Sequence, residues 1–371
     1  MITVMGLGFV GLTTAVGFSE KGANVIGYDL DLEKVDLIKN GSLPFHEQHL
    51  QEKLCRNLES TRLQITSNIN ESFKDSEVIF ICVGTPSGSD NKASLSYIYS
   101  AIDMILENPS DKFRTIVIKS TVPPSTTSDD ISKYLISKDV DLQKYALANN
   151  PEFLREGYAW DDFINPDRIV IGINDEKSKR PLEKVYEGFN CPKHFVTLNT
   201  AEFIKYLSNT ALATFISFSN EMSMIADAIG DIDTEASFRI LKEDKRWNGS
   251  PAPISSYILP GCGFGGYCLP KDTIAIVEKA KEKKCNAKIL ESVLSVNQDI
   301  KNHSIDKITS KCQKSSNIGI LGLSFKPDSD DVRDTPALAV IQGLITRGYK
   351  NIYAYDPIAN KIFENAYGHI I

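Results

Sequence analysis

Through the first half of the chain, short runs of β-branched and aromatic residues alternate with stretches whose apolar positions recur at helical spacing. The runs ITVMG, NVIGYD, EVIFICVG, TIVIKS and KYALANN read as strands, and residues 9–21, 32–39, 94–106 and 125–136 read as helices that follow them. That rhythm predicts an α/β unit, a parallel sheet with helices on both faces. RIVIGI at 168–173 and HFVTL at 194–198 are expected to be further strands that close this first domain, residues 1–199.

From Thr200 the pattern changes. Residues 201–229 keep apolar side chains at helical spacing with neither Gly nor Pro until Gly230, which predicts one helix spanning about 40 Å. Such a helix suits a spine between domains or a dimer interface, within a central helical domain of residues 200–300. Helical spacing returns over 235–242, 271–283 and 287–311, whereas 247–268 reads as a long irregular loop. Residues 301–371 form a third domain, in which NIGILGLSFKP, a helix over 336–347 and NIYAYDP make a strand-helix-strand unit. That unit stops after its second strand, so an incomplete domain is expected. The two ends of the chain rhyme, VMGLG…GYD with ILGLS…AYDP.

Composition narrows the function classes. Two or three domains suit 371 residues, and an apolar fraction of 42% is ample for packed cores. The net charge of -7, without a long lysine-arginine run, argues against a nucleic-acid partner. The chain opens directly on a strand, and no apolar stretch approaches the roughly 18 residues of a membrane span, so a cytoplasmic protein with no membrane partner is expected. The odd set of seven cysteines lacks a CxxC pair, which predicts reduced thiols and no metal site.

Gly6, Gly8 and Gly11 form GxGxxG between a strand and a helix. The first glycine permits the tight turn, the second lets backbone approach a pyrophosphate, and the third allows close helix-strand contact. Asp29 ends the next strand, where an acid accepts from a ribose 2′-hydroxyl and repels a 2′-phosphate, so the expected cofactor is NAD on a Rossmann-like domain. VGTPSG at 83–88 and STVPPSTT at 120–127 follow strands at the crevice end, making Thr85, Ser120 and Thr121 cofactor-lining candidates, or simply strand-ending turns.

Glu152 and Glu156 lie four apart beside Arg155, on one face if a helical turn forms there, and Lys205 and Asn209 stand one turn apart among Phe203, Ile204, Tyr206 and Leu207. Cys268 sits in a glycine-rich loop opening a helix, with Lys271 close by. A helix N-terminus and a cation both favour a thiolate, so it reads as a nucleophile. Lys326 and Arg333, in FKPDSDDVRDTP, are candidate phosphate partners or part of a solvated loop.

Taken in order, GLGFVGL, GYDLD, STVPPSTT, NPEFLREG, NPDRIVIG, FIKYLSNT, GFGGYCLPKD and FKPDSDDVRDTP resemble the UDP-glucose/GDP-mannose dehydrogenases over nearly the whole chain. The resemblance implies oxidation of a sugar C6 alcohol to a carboxylate in two hydride transfers, with a thiol holding the intermediate as a thiohemiacetal and then a thioester. UDP-glucose is the expected nucleotide sugar, with GDP-mannose or a UDP-N-acetylhexosamine as alternatives.

Position by position, the resemblance makes Cys268 the nucleophile, Asp272 and Thr121 the pair that handles a water, Lys205 the oxyanion-stabilising lysine with Asn209 as its partner, and Glu156 a base for hydrolysis. It assigns cofactor contacts to Gly6, Gly8, Phe9, Val10, Gly11, Asp29, Lys34, Thr85, Ser120, Thr121, Glu156, Lys271 and Arg333. Substrate contacts fall on Glu152, Phe153, Leu154, Arg155, Glu156, Lys205, Asn209, Tyr257, Gly265 and Lys326, and the family pattern suggests a homodimer. Three departures stand out: Ala252 where an arginine is common, with Arg246 six residues further back; PPSTT without its usual glycine; and the short C-terminal domain. On the residues alone, a one-step hydroxyacid dehydrogenase with a structural Cys268 and a non-catalytic protein that binds NAD and nucleotide sugar both stay open.

Overall fold

Period-two alternation builds the first sheet from strands that are buried on both sides. In the computed structural model, which describes residues 1–138, 140–243, 260–282 and 287–369, β1 (Ile2–Met5) sends Ile2 and Val4 into one core and Met5 into the other. The later strands are β2 (Val25–Tyr28), β3 (Leu63–Thr66), β4 (Val78–Ile81), β5 (Arg114–Ile118), β6 (Tyr145–Asn149), β7 (Ile169–Ile173) and β8 (Lys193–Val196). In β4, Val78 and Phe80 join the core of Val4, while Ile79 and Ile81 join that of Met5.

The strand order is β3-β2-β1-β4-β5-β6-β7-β8. Strands β1 to β6 are parallel, as expected of a Rossmann-like sheet, but β7 pairs antiparallel with β6, and β8 is parallel to β7. An apolar run carries no arrow, so its direction is set by the connection. The helix Phe9–Glu20 packs on the face of Val4, and Phe18 meets Phe80, Phe163 and Tyr186 at ring-centroid distances of 5.0, 5.3 and 5.4 Å.

The chain divides into two units, Met1–Lys205 and Tyr206–Ile371. A spine helix, Leu198–Ile229, begins in the first and continues into the second. Within the second unit, Ala213 of this helix packs with Phe264 and with Val293 of the helix Lys288–Lys311. The strands β9 (Ile318–Leu321) and β10 (Ile352–Tyr355) pair in parallel around the helix Pro336–Thr346. Ile305, Ile318, Val340 and Leu344 fill the space between strand and helices. No helix among the described residues is long and apolar enough to cross a membrane.

The rhyme between the two ends is structural. Gly6 has φ +86° and donates to the Tyr28 carbonyl, while the Leu7 N–H donates to Asp29 Oδ2, at 2.8 and 2.7 Å. Gly322 has φ +96° and donates to the Tyr355 carbonyl, while the Leu323 N–H donates to Asp356 Oδ2, both at 2.8 Å. Positive φ at the same step lets each strand turn sharply toward its helix.

Candidate active site

At the crevice end of the first sheet the glycines divide their tasks by what a side chain would strike. A Cβ on Gly11 would lie 1.7 Å from the Gly6 carbonyl oxygen, so this glycine permits helix-strand contact. A Cβ on Gly8, which caps the helix Phe9–Glu20, would meet no protein atom within 4 Å. Asp29 Oδ2 accepts from the Leu7 N–H and from Lys34 Nζ at 2.7 and 3.0 Å, and its Oδ1 accepts from the Asp31 N–H at 3.0 Å. Phe9 stacks edge-on against Phe45, and Val10 is half-buried.

The next two loops are stitched together. Thr85 Oγ1 donates to the Thr121 carbonyl at 3.0 Å, and Ser120 Oγ donates to the Val83 carbonyl at 2.6 Å. Both hydroxyls therefore tie the β4 and β5 loops to each other and keep lone pairs for accepting.

Residues 152–156 form no helical turn, so the expectation of a shared face does not hold. Pro151 removes a donor and biases Asn150 to extended backbone. Glu152 is buried, with Oε1 against Lys205 Nζ at 2.8 Å and Oε2 accepting from the Leu154 N–H at 2.6 Å. Burial raises the Glu152 carboxyl, but the Lys205 ammonium and the Leu154 N–H outweigh it and hold the group below its ordinary range. Phe153 lies under the cations of Lys205 and Arg168, at 5.6 and 4.4 Å from its ring centroid. The Arg155 guanidinium is committed to Asp162 through Nε and Nη2, the latter at 2.6 Å, and Glu156 is half-buried.

In the second unit Cys268 is the first residue of the helix Cys268–Glu282 and is half-buried. Asp272, one turn on, is fully buried; its Oδ2 accepts from Asn209 Nδ2 and its Oδ1 from Lys271 Nζ, both at 2.6 Å. Burial lowers the Lys271 ammonium, but Asp272 and then Cys268 more than reverse this, leaving it raised. Lys271 and Arg333 both stand over the ring of Tyr267, at 5.1 and 4.4 Å, so two cations flank the residue before the thiol.

The loop that delivers Cys268 is clamped from within its own unit. Asn297 accepts from the Phe264 N–H and donates to the Phe264 carbonyl, at 2.7 and 3.1 Å. Gly266, at φ +79°, donates to the Arg333 carbonyl at 2.9 Å.

Family models match nearly the whole chain. The UDP-glucose/GDP-mannose dehydrogenase family's NAD binding domain matches residues 1–190, its central domain 199–299 and its UDP binding domain 319–370. The chain belongs to the UDP-glucose/GDP-mannose dehydrogenase family. Among relatives, a UDP-glucose 6-dehydrogenase of Rickettsia bellii is 40% identical, over 98% of this chain and 83% of its own. A solved UDP-glucose dehydrogenase from Pyrobaculum islandicum is 35% identical with a TM-score of 0.91, covering 99% of this chain and 84% of its own. A UDP-D-ManNAc dehydrogenase from Pyrococcus horikoshii is 27% identical with a TM-score of 0.83, covering 96% and 83%.

As a member of this dehydrogenase family the chain is an NAD-dependent oxidoreductase, and its first unit fits that cofactor. The space around Gly8 admits a ligand's phosphates against a helix N-terminus, and Asp29, with two donors on Oδ2 and one on Oδ1, keeps acceptor capacity for a ribose hydroxyl. In the first unit Glu152 pairs with Lys205, and in the second Asp272 holds Asn209. Gly265, expected at the sugar, has a packing duty, because a Cβ there would lie 2.1 Å from the Asp334 carbonyl oxygen. Lys326 stacks over Phe325, and Arg333 also pairs with Asp331 at 2.5 Å. Tyr257, Arg246 and Ala252 lie outside the described residues.

Sequence reasoning missed Glu47, whose carboxylate accepts the Gly157 N–H at 2.9 Å and fixes the turn after Glu156 from 110 residues away. It also missed Lys119, although a lysine closing the apolar run TIVIKS was a visible signal.

Proposed function

We propose that this chain oxidises the C6 alcohol of UDP-glucose to the carboxylate of UDP-glucuronate, UDP-glucose, two NAD⁺ and one water giving UDP-glucuronate, two NADH and three protons. The observation that carries the reading is Cys268 at a helix N-terminus, with Asp272 one turn on and Lys271 close enough to act on it electrostatically. Removing one hydride from an alcohol needs no thiol, whereas a second oxidation needs a nucleophile to hold the aldehyde. When bound, NAD accepts the hydride in each oxidation.

The chain's own residues do the rest. Lys205 stabilises the substrate oxygen as its proton leaves, a contribution of about 3 kcal/mol on the scale of single oxyanion donors. Cys268 adds to the aldehyde as a thiolate, so that a C–S bond forms and the carbonyl oxygen takes the charge. Oxidation of this thiohemiacetal leaves a thioester. Asp272 and Thr121 hold the attacking water and Glu156 accepts its first proton; the C–S bond then breaks, restoring the Cys268 thiolate, and the carboxylic acid released loses the second proton to solvent as it ionises.

The choice of UDP-glucose is supported by the higher identity to the two UDP-glucose dehydrogenases than to the UDP-D-ManNAc enzyme. The spine helix leaves Phe203, Leu207 and Phe218 exposed, which supports a homodimer, to be measured by mass photometry. Six free thiols among the described residues favour the reducing cytoplasm as its compartment.

The deciding experiment counts NADH released per UDP-glucose consumed, with the product identified by mass. Two per sugar with UDP-glucuronate formed, and loss of net turnover in Cys268→Ser, is the expected result. One per sugar, indifferent to that substitution, would make the thiol structural. Higher kcat/KM on GDP-mannose or a UDP-N-acetylhexosamine would move the substrate and keep the chemistry.

A further inference from the structure

Another buried lysine has no part in these roles. Lys119 follows β5 and is 4% exposed; its Nζ donates to Asn150 Oδ1 at 2.8 Å, and the Tyr186 hydroxyl donates to the same oxygen. Asn150 Nδ2 donates to the Val170 carbonyl at 2.8 Å, and its N–H to the Ile118 carbonyl at 2.9 Å. Lys119 thus fastens the end of β5, which carries Ser120 and Thr121, to the turn that carries Glu152 two residues after Asn150.

An ammonium held by a neutral amide inside a protein is costly unless its charge is used. The charged and titratable groups that act on it come from three other elements: Cys82 after β4, Glu152 after β6, and Lys205 on the spine helix. Burial drives Lys119 down to about 8, which leaves it mostly protonated at neutral pH, while burial drives the Cys82 thiol up to about 12 and keeps it neutral. The cluster therefore holds two ammonium groups and one carboxylate, a net charge of +1 where Glu152 and Lys205 alone would sum to zero.

We propose that Lys119 is a positioning residue for the oxidation: through Asn150 it anchors the turn that sets Glu152 against Lys205, and its charge adds to the field that the Glu152–Lys205 pair offers the substrate oxygen. A neutral pair stabilises a developing oxyanion less than a pair with a surplus cation does. This inference rests on the reading in which Lys205 acts on that oxygen.

The test compares kcat, both KM values and Tm for wild type, Lys119→Met and Lys119→Gln, each with and without Glu152→Gln, on whichever nucleotide sugar the wild type oxidises. Gln keeps a donor for Asn150 and loses the charge, and it remains informative if Met disturbs folding. The expected result is a kcat lowered about 10-fold in both variants, the size typical when a supporting partner of a functional group is removed. Both KM values should stay within about twofold, and either change should add less than about twofold to Glu152→Gln. Wild-type kcat in Lys119→Gln, an undiminished loss in the Glu152→Gln background, or unfolding of both variants would overturn the proposal and leave Lys119 structural. A wild type that oxidises no nucleotide sugar counts instead against the reading beneath it, and is seen before any variant is compared.

Discussion

Glu202 lies three residues before Lys205 and is 2% exposed; its Oε1 accepts the Thr127 N–H at 2.8 Å, while its buried Oε2 has no hydrogen-bond partner among the described residues. Burial pushes this carboxyl up to about 7, against the opposing hydrogen bonds from residues 125–127. A raised carboxyl binds its proton more tightly folded than unfolded. The stability it confers is full below its ordinary 4.5 and is lost as pH rises through about 7. Glu202→Gln should therefore match wild type near pH 4 and be more stable at pH 8 by at most about 3 kcal/mol, as read from urea denaturation at the two pH values. A stability difference independent of pH would show that the carboxyl does not titrate there. The contacts of Glu202 and Lys119 were not legible in the sequence, because their partners lie 75 and 31 residues away. Cys268, Lys205 and Asp29 could be singled out as candidates because each stands in a motif whose neighbours narrow its reading.

Elements were legible where their apolar pattern was wide. The helix 32–39 and the spine helix were predicted nearly to their ends, whereas Leu50–Glu59 was missed because only Leu50 and Leu54 of its apolar residues are buried, too narrow a stripe to notice. The single helix expected over 125–136 instead begins as a π-helical stretch, Thr126–Ile131, behind Ser125 at φ +76°. The glycine turn after β1 gives a sharper test, since Gly8 and Gly11 share one motif and differ in what surrounds them. Gly11→Ala should cost about 1–3 kcal/mol or more and lower Tm, because the new methyl strikes backbone that can move only with its strand. Gly8→Ala should leave Tm nearly unchanged and raise the KM for NAD at least about tenfold, because the methyl enters ligand space rather than protein. Equal Tm losses in the two variants would mean that Gly8, too, is there for the fold.

At the scale of the whole molecule, the same strand-turn frame occurs at both ends with different use of its acid. Asp29 keeps acceptor capacity, whereas Asp356 accepts from the N–H groups of Leu323, Ser324, Ile358 and Ala359. Although burial opposes it, those donors pull Asp356 down to about 2, so it serves its own loop rather than a ribose. The two frames should therefore answer to different ligands: NAD in the first unit, and, following the family's UDP binding domain over 319–370, the nucleotide of the substrate in the second. Hydrogen exchange read by mass spectrometry can separate them. With NAD at about 100 times its Kd, amides of the Gly6–Gly11 turn and of Ser120 and Thr121 should exchange up to about 100-fold more slowly, with little change over 319–336. UDP alone should protect the segment around Gly322 to Arg333 and leave the glycine turn unchanged. Protection of both segments by either ligand alone would mean that the frames are coupled before the second ligand arrives. Protection of the first segment by UDP and of the second by NAD would reverse the assignment and, with it, the role of Asp29 as the acceptor for a ribose hydroxyl.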